Sequence, residues 1–139
     1  MKKKHLHSIL PGILLSLLTI LFSCNSEIDI RQDYDFEVRM QKYRTEISEG
    51  ETKELEFFID KEGNYDHTKY YVSVFLRLGK GVITTDKDKM MNDNQYYEVP
   101  ASGFKLYYTS QSAETHKIEI LVKDSFGKEK ETVVTLSNK

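Results

Sequence analysis

An all-β sandwich is the fold class this sequence predicts, and three observations predict it. From Tyr34 onward, apolar and polar residues alternate with a period of two. Clusters of Gly, Asn, Asp and Ser interrupt that alternation at short intervals. No stretch after Cys24 carries the 3.6-residue apolar period of an amphipathic helix.

The strands follow in order. Tyr34, Phe36, Val38 and Met40 alternate with Asp35, Glu37 and Arg39. Leu55, Phe57 and Ile59 alternate with Glu54, Glu56 and Asp60. Tyr70, Val72, Val74, Leu76 and Leu78 share one face of a long strand. Phe104, Leu106 and Tyr108 share another, against Lys105 and Thr109. Ile118, Ile120 and Val122 oppose Lys117, Glu119 and Lys123. In the last run Val134 and Leu136 lie on one face with Thr132. Between the runs stand Ser48-Glu49-Gly50, Lys61-Glu62-Gly63-Asn64, Gly79-Lys80-Gly81 and Asp124-Ser125-Phe126-Gly127, all residues that tolerate positive φ or bond their own backbone. About seven strands in about 105 residues argue a single immunoglobulin-like β-sandwich over residues 34–139. There is no Cys-Trp-Cys hallmark, so the expectation concerns the fold class and not an antibody-type domain.

The N-terminal segment reads differently. Lys2, Lys3 and Lys4 open a positive region, and Ile9 to Phe22 is an uncharged apolar run. As a helix that run would span only about 21 Å, short of the ~30 Å hydrocarbon core. A signal peptide over residues 1–23 is expected. It ends in Leu21-Phe22-Ser23-Cys24, which resembles a lipobox, with Phe22 bulkier than is usual at its position. Cys24 is the chain's one cysteine, so it has no disulfide partner, and lipidation is the role expected for it. A diacylglyceryl group supplies the two acyl chains that stable anchoring requires. Residues 24–33 then form the lipidated Cys and a polar tether. Asn25 occupies the place where an Asp retains some lipoproteins at the inner membrane, and this favours the outer membrane.

Charge excludes one class of function. The whole chain carries a formal charge of -2, and removal of the three leader lysines leaves 17 basic against 22 acidic side chains, or -5. A mildly acidic domain without a basic run lacks the clustered cations that nucleic-acid binding requires. No catalytic, metal or cofactor site is expected. His67 follows Asp66, but adjacent residues on extended chain face apart, and His116 has polar neighbours near a strand start. Gly-x-Ser-x-Gly and phosphate-loop patterns are missing. Thr85-Asp86-Lys87-Asp88 and Asn92-Asp93-Asn94 lack the turn glycine and terminal Glu of a calcium loop, and Lys87 and Lys89 would repel a cation.

Two surface features invite binding. Nine tyrosines include the pairs Tyr70-Tyr71, Tyr96-Tyr97 and Tyr107-Tyr108, and alternation turns one of each pair outward. Tyr71, Phe75, Leu121 and Val133 point away from the core in strands that share a sheet in this fold. They are expected to form an exposed apolar stripe, a candidate partner-binding surface.

Several segments, in this order, resemble the TraQ family of conjugal transfer proteins carried by Bacteroidetes conjugative transposons. They are Asp29 to Phe36, Gly50-Glu51-Thr52, Gly79-Lys80-Gly81, Asn92 to Tyr96, Phe104 to Ser110 and Asp124 to Gly127. Arg77-Leu78, Met91 and Tyr97 depart from the family pattern. The resemblance implies a non-enzymatic envelope lipoprotein engaged in conjugative DNA transfer, with other conjugation proteins as partners and a membrane met through the lipid. The alternative is a surface lipoprotein that binds carbohydrate or another ligand through its outward tyrosines.

Overall fold

The computed structural model describes residues 34–63, 67–85 and 89–139. The leader, Cys24 and the tether lie outside the described residues, as do Asp86 and Asp88 of the acidic loop. The chain forms β1 (Phe36–Met40), β2 (Glu46–Ile47), β3 (Thr52–Lys61), β4 (Tyr70–Leu78), β5 (Gly81–Thr84), β6 (Tyr97–Val99), β7 (Gly103–Ser110), β8 (His116–Asp124) and β9 (Glu129–Asn138). There is no helix among the described residues. One sheet has the order β1-β3-β7-β5 and the other β2-β9-β8-β4-β6.

The first strand divides between the sheets. β1 pairs antiparallel with β3, and after Gln41 the chain crosses so that β2 runs parallel to β9. Among the described residues there are nine strands rather than about seven: β2, β5 and β6 fall outside the runs of alternation, because two to four residues are too few to display a period.

The inward residues of the long strands are those the period-2 reading selects. Leu55, Phe57, Ile59, Leu106 and Tyr108 from one sheet meet Val72, Val74, Ile118, Ile120, Val122, Val134 and Leu136 from the other, all buried. Phe57 stacks on Phe104 with ring centres 5.0 Å apart, and Phe36 meets Tyr70 edge-on at 5.2 Å. Each fully buried large side chain contributes roughly 1.5–3 kcal/mol by leaving water.

Leu78 is the exception. Pairing between β4 and β8 shifts between Leu76 and Leu78, so Arg77 occupies a bulge and Leu78 turns out, 55% exposed.

The two ends of the sandwich differ. Phe36 pairs with Lys61 at the end where the chain enters, beside the 124–128 turn. At the other end of β3, Gly50 donates its N–H to Ser110 O, and Gln111 donates its own to Lys80 O. The ten residues of β3 separate these ends by roughly 30 Å.

Candidate functional site

Alternation sends every second side chain of β4, β8 and β9 away from the core. Register then places them as neighbours. Tyr71 lies opposite Lys123, Ser73 opposite Leu121 and Phe75 opposite Glu119. On the far side Lys123 faces Glu129, Leu121 faces Glu131 and Glu119 faces Val133. Tyr71, Phe75, Leu121 and Val133 therefore occupy one face. The first three are half-buried and Val133 is 42% exposed.

Charged side chains fold over this stripe. The Arg77 guanidinium stands 4.8 Å from the centre of the Phe75 ring. It donates Nε–H to Glu119 Oε2 at 2.8 Å and Nη2–H to Oε1 at 2.7 Å, a fork that combines a cation–π contact with bidentate pairing. That bond holds the Glu119 carboxyl below its usual range.

Tyr96 covers the other half. It precedes β6, yet its hydroxyl donates to Glu129 Oε1 at 2.9 Å, at the start of β9. In the sheet order β8 and β4 lie between β9 and β6, so this bond bridges both strands. Lys123 Nζ stands 5.7 Å from the Tyr96 ring centre and 3.7 Å from Glu129 Oε1. Ser73 faces outward in the middle of this arrangement but is fully buried, and its Oγ has no hydrogen-bond partner among the described residues.

A second cluster escapes the sequence reading. His116 begins β8 pointing inward and is fully buried. Its Nε2 lies 3.1 Å from Ser110 Oγ and 3.2 Å from the Ser112 carbonyl oxygen. A carbonyl only accepts, so in the neutral ring Nε2 carries the proton and Nδ1 accepts. The Tyr108 hydroxyl proton is shared between Nδ1 at 2.7 Å and the Lys80 carbonyl oxygen at 3.2 Å. Burial pushes the Tyr108 hydroxyl up to about 12. Ser110, His116 and Tyr108 are enclosed, and the Ser110 hydroxyl donates to Ser112 O at 2.9 Å, so the group exposes no nucleophile. The signal for it was the alternation itself, because Ile118, Ile120 and Val122 extended back by one step reach His116.

The remaining candidates stay apart. His67 is exposed between β3 and β4. Among the described residues no three or more His, Cys, Asp or Glu side chains are grouped to hold a metal. Asp124 is buried, and its Oδ1 accepts N–H bonds from Phe126 and Lys128, both at 2.9 Å, which shapes the β8–β9 turn. Each tyrosine pair has one member further out, but Tyr71 lies on the outer face of one sheet and Tyr107 on that of the other. The outward tyrosines therefore form no single platform: Tyr96 shares the face of Tyr71, and Tyr107 stands on the opposite sheet. A cleft of about 440 Å³ beside β6 and β7 holds Tyr97, whose hydroxyl is already bonded to Asn92 N–H and Gln95 Oε1.

Comparison with known proteins now adds to this geometry. The profile of the TraQ conjugal transfer protein matches residues 8–139. The chain belongs to the TraQ conjugal transfer family. Three solved structures are similar to it. A conjugative transposon lipoprotein from Bacteroides eggerthii shares 27% identity, with a TM-score of 0.69 over 76% of this chain and all of that one, 100%. A lipoprotein from Bacteroides thetaiotaomicron shares 28%, with a TM-score of 0.67 over 83% of this chain and 88% of that one. A conjugate transposon protein from Bacteroides vulgatus shares 30%, with a TM-score of 0.66 over 82% of this chain and 93% of that one. No curated protein matches the chain. Membership of the TraQ family implies a role in conjugative transfer, and TraQ is not a known enzyme family.

Proposed function

We propose that this chain is a non-enzymatic envelope lipoprotein that serves the mating apparatus as a structural or protein-binding component, and that it binds through the outer face of β4, β8 and β9. One observation supports the choice of face above all. Phe75 under Arg77, with Tyr96, Tyr71, Leu121 and Val133 around it, combines apolar, aromatic and arginine side chains ringed by charge. Energetic centres of protein interfaces have this composition.

The lipid anchor rests on Leu21-Phe22-Ser23-Cys24 and on the lipoproteins among the similar structures. Asn25 favours the outer membrane. Neither cofactor nor metal enters the reading, and nucleic acid is not a direct partner.

The test uses donor cells lacking the gene and complemented with Phe75→Asp plus Leu121→Lys. The variant domain folds as wild type does, and transfer falls. Wild-type transfer by that variant would remove the face from the account. Glycan binding lost in Tyr71→Ala or Tyr107→Ala would support the carbohydrate-binding alternative instead.

A further inference from the structure

Backbone parity along β9 sets out a row of unused hydrogen-bonding groups. Asp124 N–H donates to Lys128 O on the β8 side, whereas Ser137 N–H donates to Thr45 O and Lys139 N–H to Ile47 O on the β2 side. Successive residues of an antiparallel strand turn their backbone groups to alternate sides. Even-numbered residues of β9 therefore bond β8, and odd-numbered ones face the edge of the sheet. β2 covers that edge only at Ser137 and Asn138. Glu129, Glu131, Val133 and Thr135 thus present N–H and C=O groups that no strand takes up among the described residues.

The other sheet edges are shorter or closed. β6 has three residues. The 89–91 return covers β5, with Met91 N–H donating to Ile83 O at 2.8 Å. At β1 the Asp35 carboxylate accepts from Phe36 N–H at 2.9 Å, which leaves Val38 and Met40 on that edge. Along Glu129 to Thr135 there is no proline, and the register with β8 is unbroken, so neither a proline nor a bulge blocks the edge. Lys130, the lysine within this stretch, is drawn off to Asp35 at 3.3 Å and Glu37 at 3.2 Å.

We propose that the free edge of β9 takes an extended segment of a partner protein as an added strand, with a basic side chain of that segment beside Glu131. This deepens the protein-binding reading above and rests on it. β2 already docks on the same edge, and an added strand continues the sheet whose outer face carries Leu121 and Val133. Main-chain bonds hold such a segment, and its side chains select it. Glu129 is engaged by Tyr96 and Lys123, whereas Glu131 is exposed and makes no ion pair among the described residues. Opposite charges on neighbouring strands of one face attract. A second copy fits poorly. Antiparallel pairing of two such edges joins odd residues to odd. Pairing Glu129 with Thr135 drives the start of the second β9 onto Thr45, and the next register sets Glu131 against Glu131, a like-charge pair.

The experiment measures transfer from donors that lack the gene and carry full-length wild type, Glu131→Pro or Glu131→Lys. The Glu131 N–H points out of the ladder, so proline is tolerated there as on other edge strands, while its ring blocks an added strand. Both variants melt within a few degrees of wild type and lower transfer by about tenfold or more. Wild-type transfer by either, where deletion itself lowers transfer, overturns the proposal. If Glu131→Pro does not fold, Glu131→Lys decides in the same way. Unchanged transfer on deletion overturns the reading beneath it, and the proposal with it. Hydrogen exchange on the purified full-length protein supplies the second measurement, and the Glu131 and Val133 amides exchange as unbonded amides do. Protection of them that vanishes on dilution, or on removal of residues 25–33, assigns the edge to a second copy or to the chain's own tether and overturns the proposal.

Discussion

The Tyr96 hydroxyl donates to Glu129 Oε1 over 2.9 Å, although two whole strands separate the positions from which their side chains start. A strap of this length needs both side chains extended over the sheet. It lies on the same face as Tyr71, Leu121 and Val133, and the Arg77–Glu119 fork closes the other half. Bare apolar stripes on sheets are aggregation hazards. Here each covering group has its counter-charge or hydrogen-bond partner within the face.

The strap has a spectroscopic signature. Glu129 accepts the Tyr96 hydroxyl proton and so raises that hydroxyl above its ordinary value of 10.0. Glu129→Gln removes the charge, and the Tyr96 titration moves back down. Because Tyr96 is substantially exposed, the melting temperature changes by no more than about 2 °C. NMR titration of the tyrosine resonances reads the first effect and a thermal melt the second.

The Gly79-Lys80-Gly81 turn makes a stability prediction with an internal control. Gly79 has φ +81°, and a Cβ there would collide with His116 Nδ1. Gly50 also has positive φ, +80°, but nothing stands within 4 Å of its absent Cβ. Gly50→Ala therefore costs about 1 kcal/mol, the backbone penalty alone. Gly79→Ala adds a collision with buried His116 and costs about 2–4 kcal/mol. Urea denaturation of the two variants gives the comparison, and equal losses would contradict the packing described beneath the turn.

Ser73 behaves in the opposite sense. Its hydroxyl is buried without a partner among the described residues, so removal recovers a desolvation penalty. Ser73→Ala leaves stability unchanged or raises it by about 1 kcal/mol, measured by the same denaturation curves.

Stability falls at both extremes of pH. Asp35 and Glu51 are lowered chiefly by backbone N–H bonds from Phe36 and Ser48, and Asp60 and Glu119 by Arg39 and Arg77. Groups lowered on folding stabilise the fold above their unfolded values, near 4, and lose that contribution as pH drops through the folded ones. Tyr108 works the other way. Its raised value, about 12 against an ordinary 10.0, stabilises the fold fully below pH 10 and loses the contribution as pH rises toward 12. Tyr108→Phe loses the alkaline component while it costs about 1–3 kcal/mol at neutral pH, because His116 Nδ1 is left without its donor.

Much of the fold was legible because the long strands each bury one face, and a period of two then marks the core directly. Leu78 was misread because a bulge at Arg77 flips the face, and a bulge has no signature in alternation. β2, β5 and β6 were missed because two to four residues carry too little period to read. The four stripe residues follow from alternation plus the assumption that their strands share a sheet, which the pairing of β4, β8 and β9 bears out. Their cover was not legible. Tyr96 reaches Glu129, and Arg77 reaches back over Phe75, through side-chain conformations that residue spacing does not encode. His116 was readable one alternation step earlier, but its polar neighbours, Glu114 and Thr115, concealed it.

The role proposed for the protein is conjugative transfer, performed while a lipid at Cys24 holds it in the envelope. Transfer frequency of the element from a donor lacking the gene, complemented with wild type or with Cys24→Ala, tests it most directly. Deletion is expected to lower transfer and wild type to restore it, whereas Cys24→Ala does not. Unchanged transfer after deletion would contradict the role, and full rescue by Cys24→Ala would contradict the anchor.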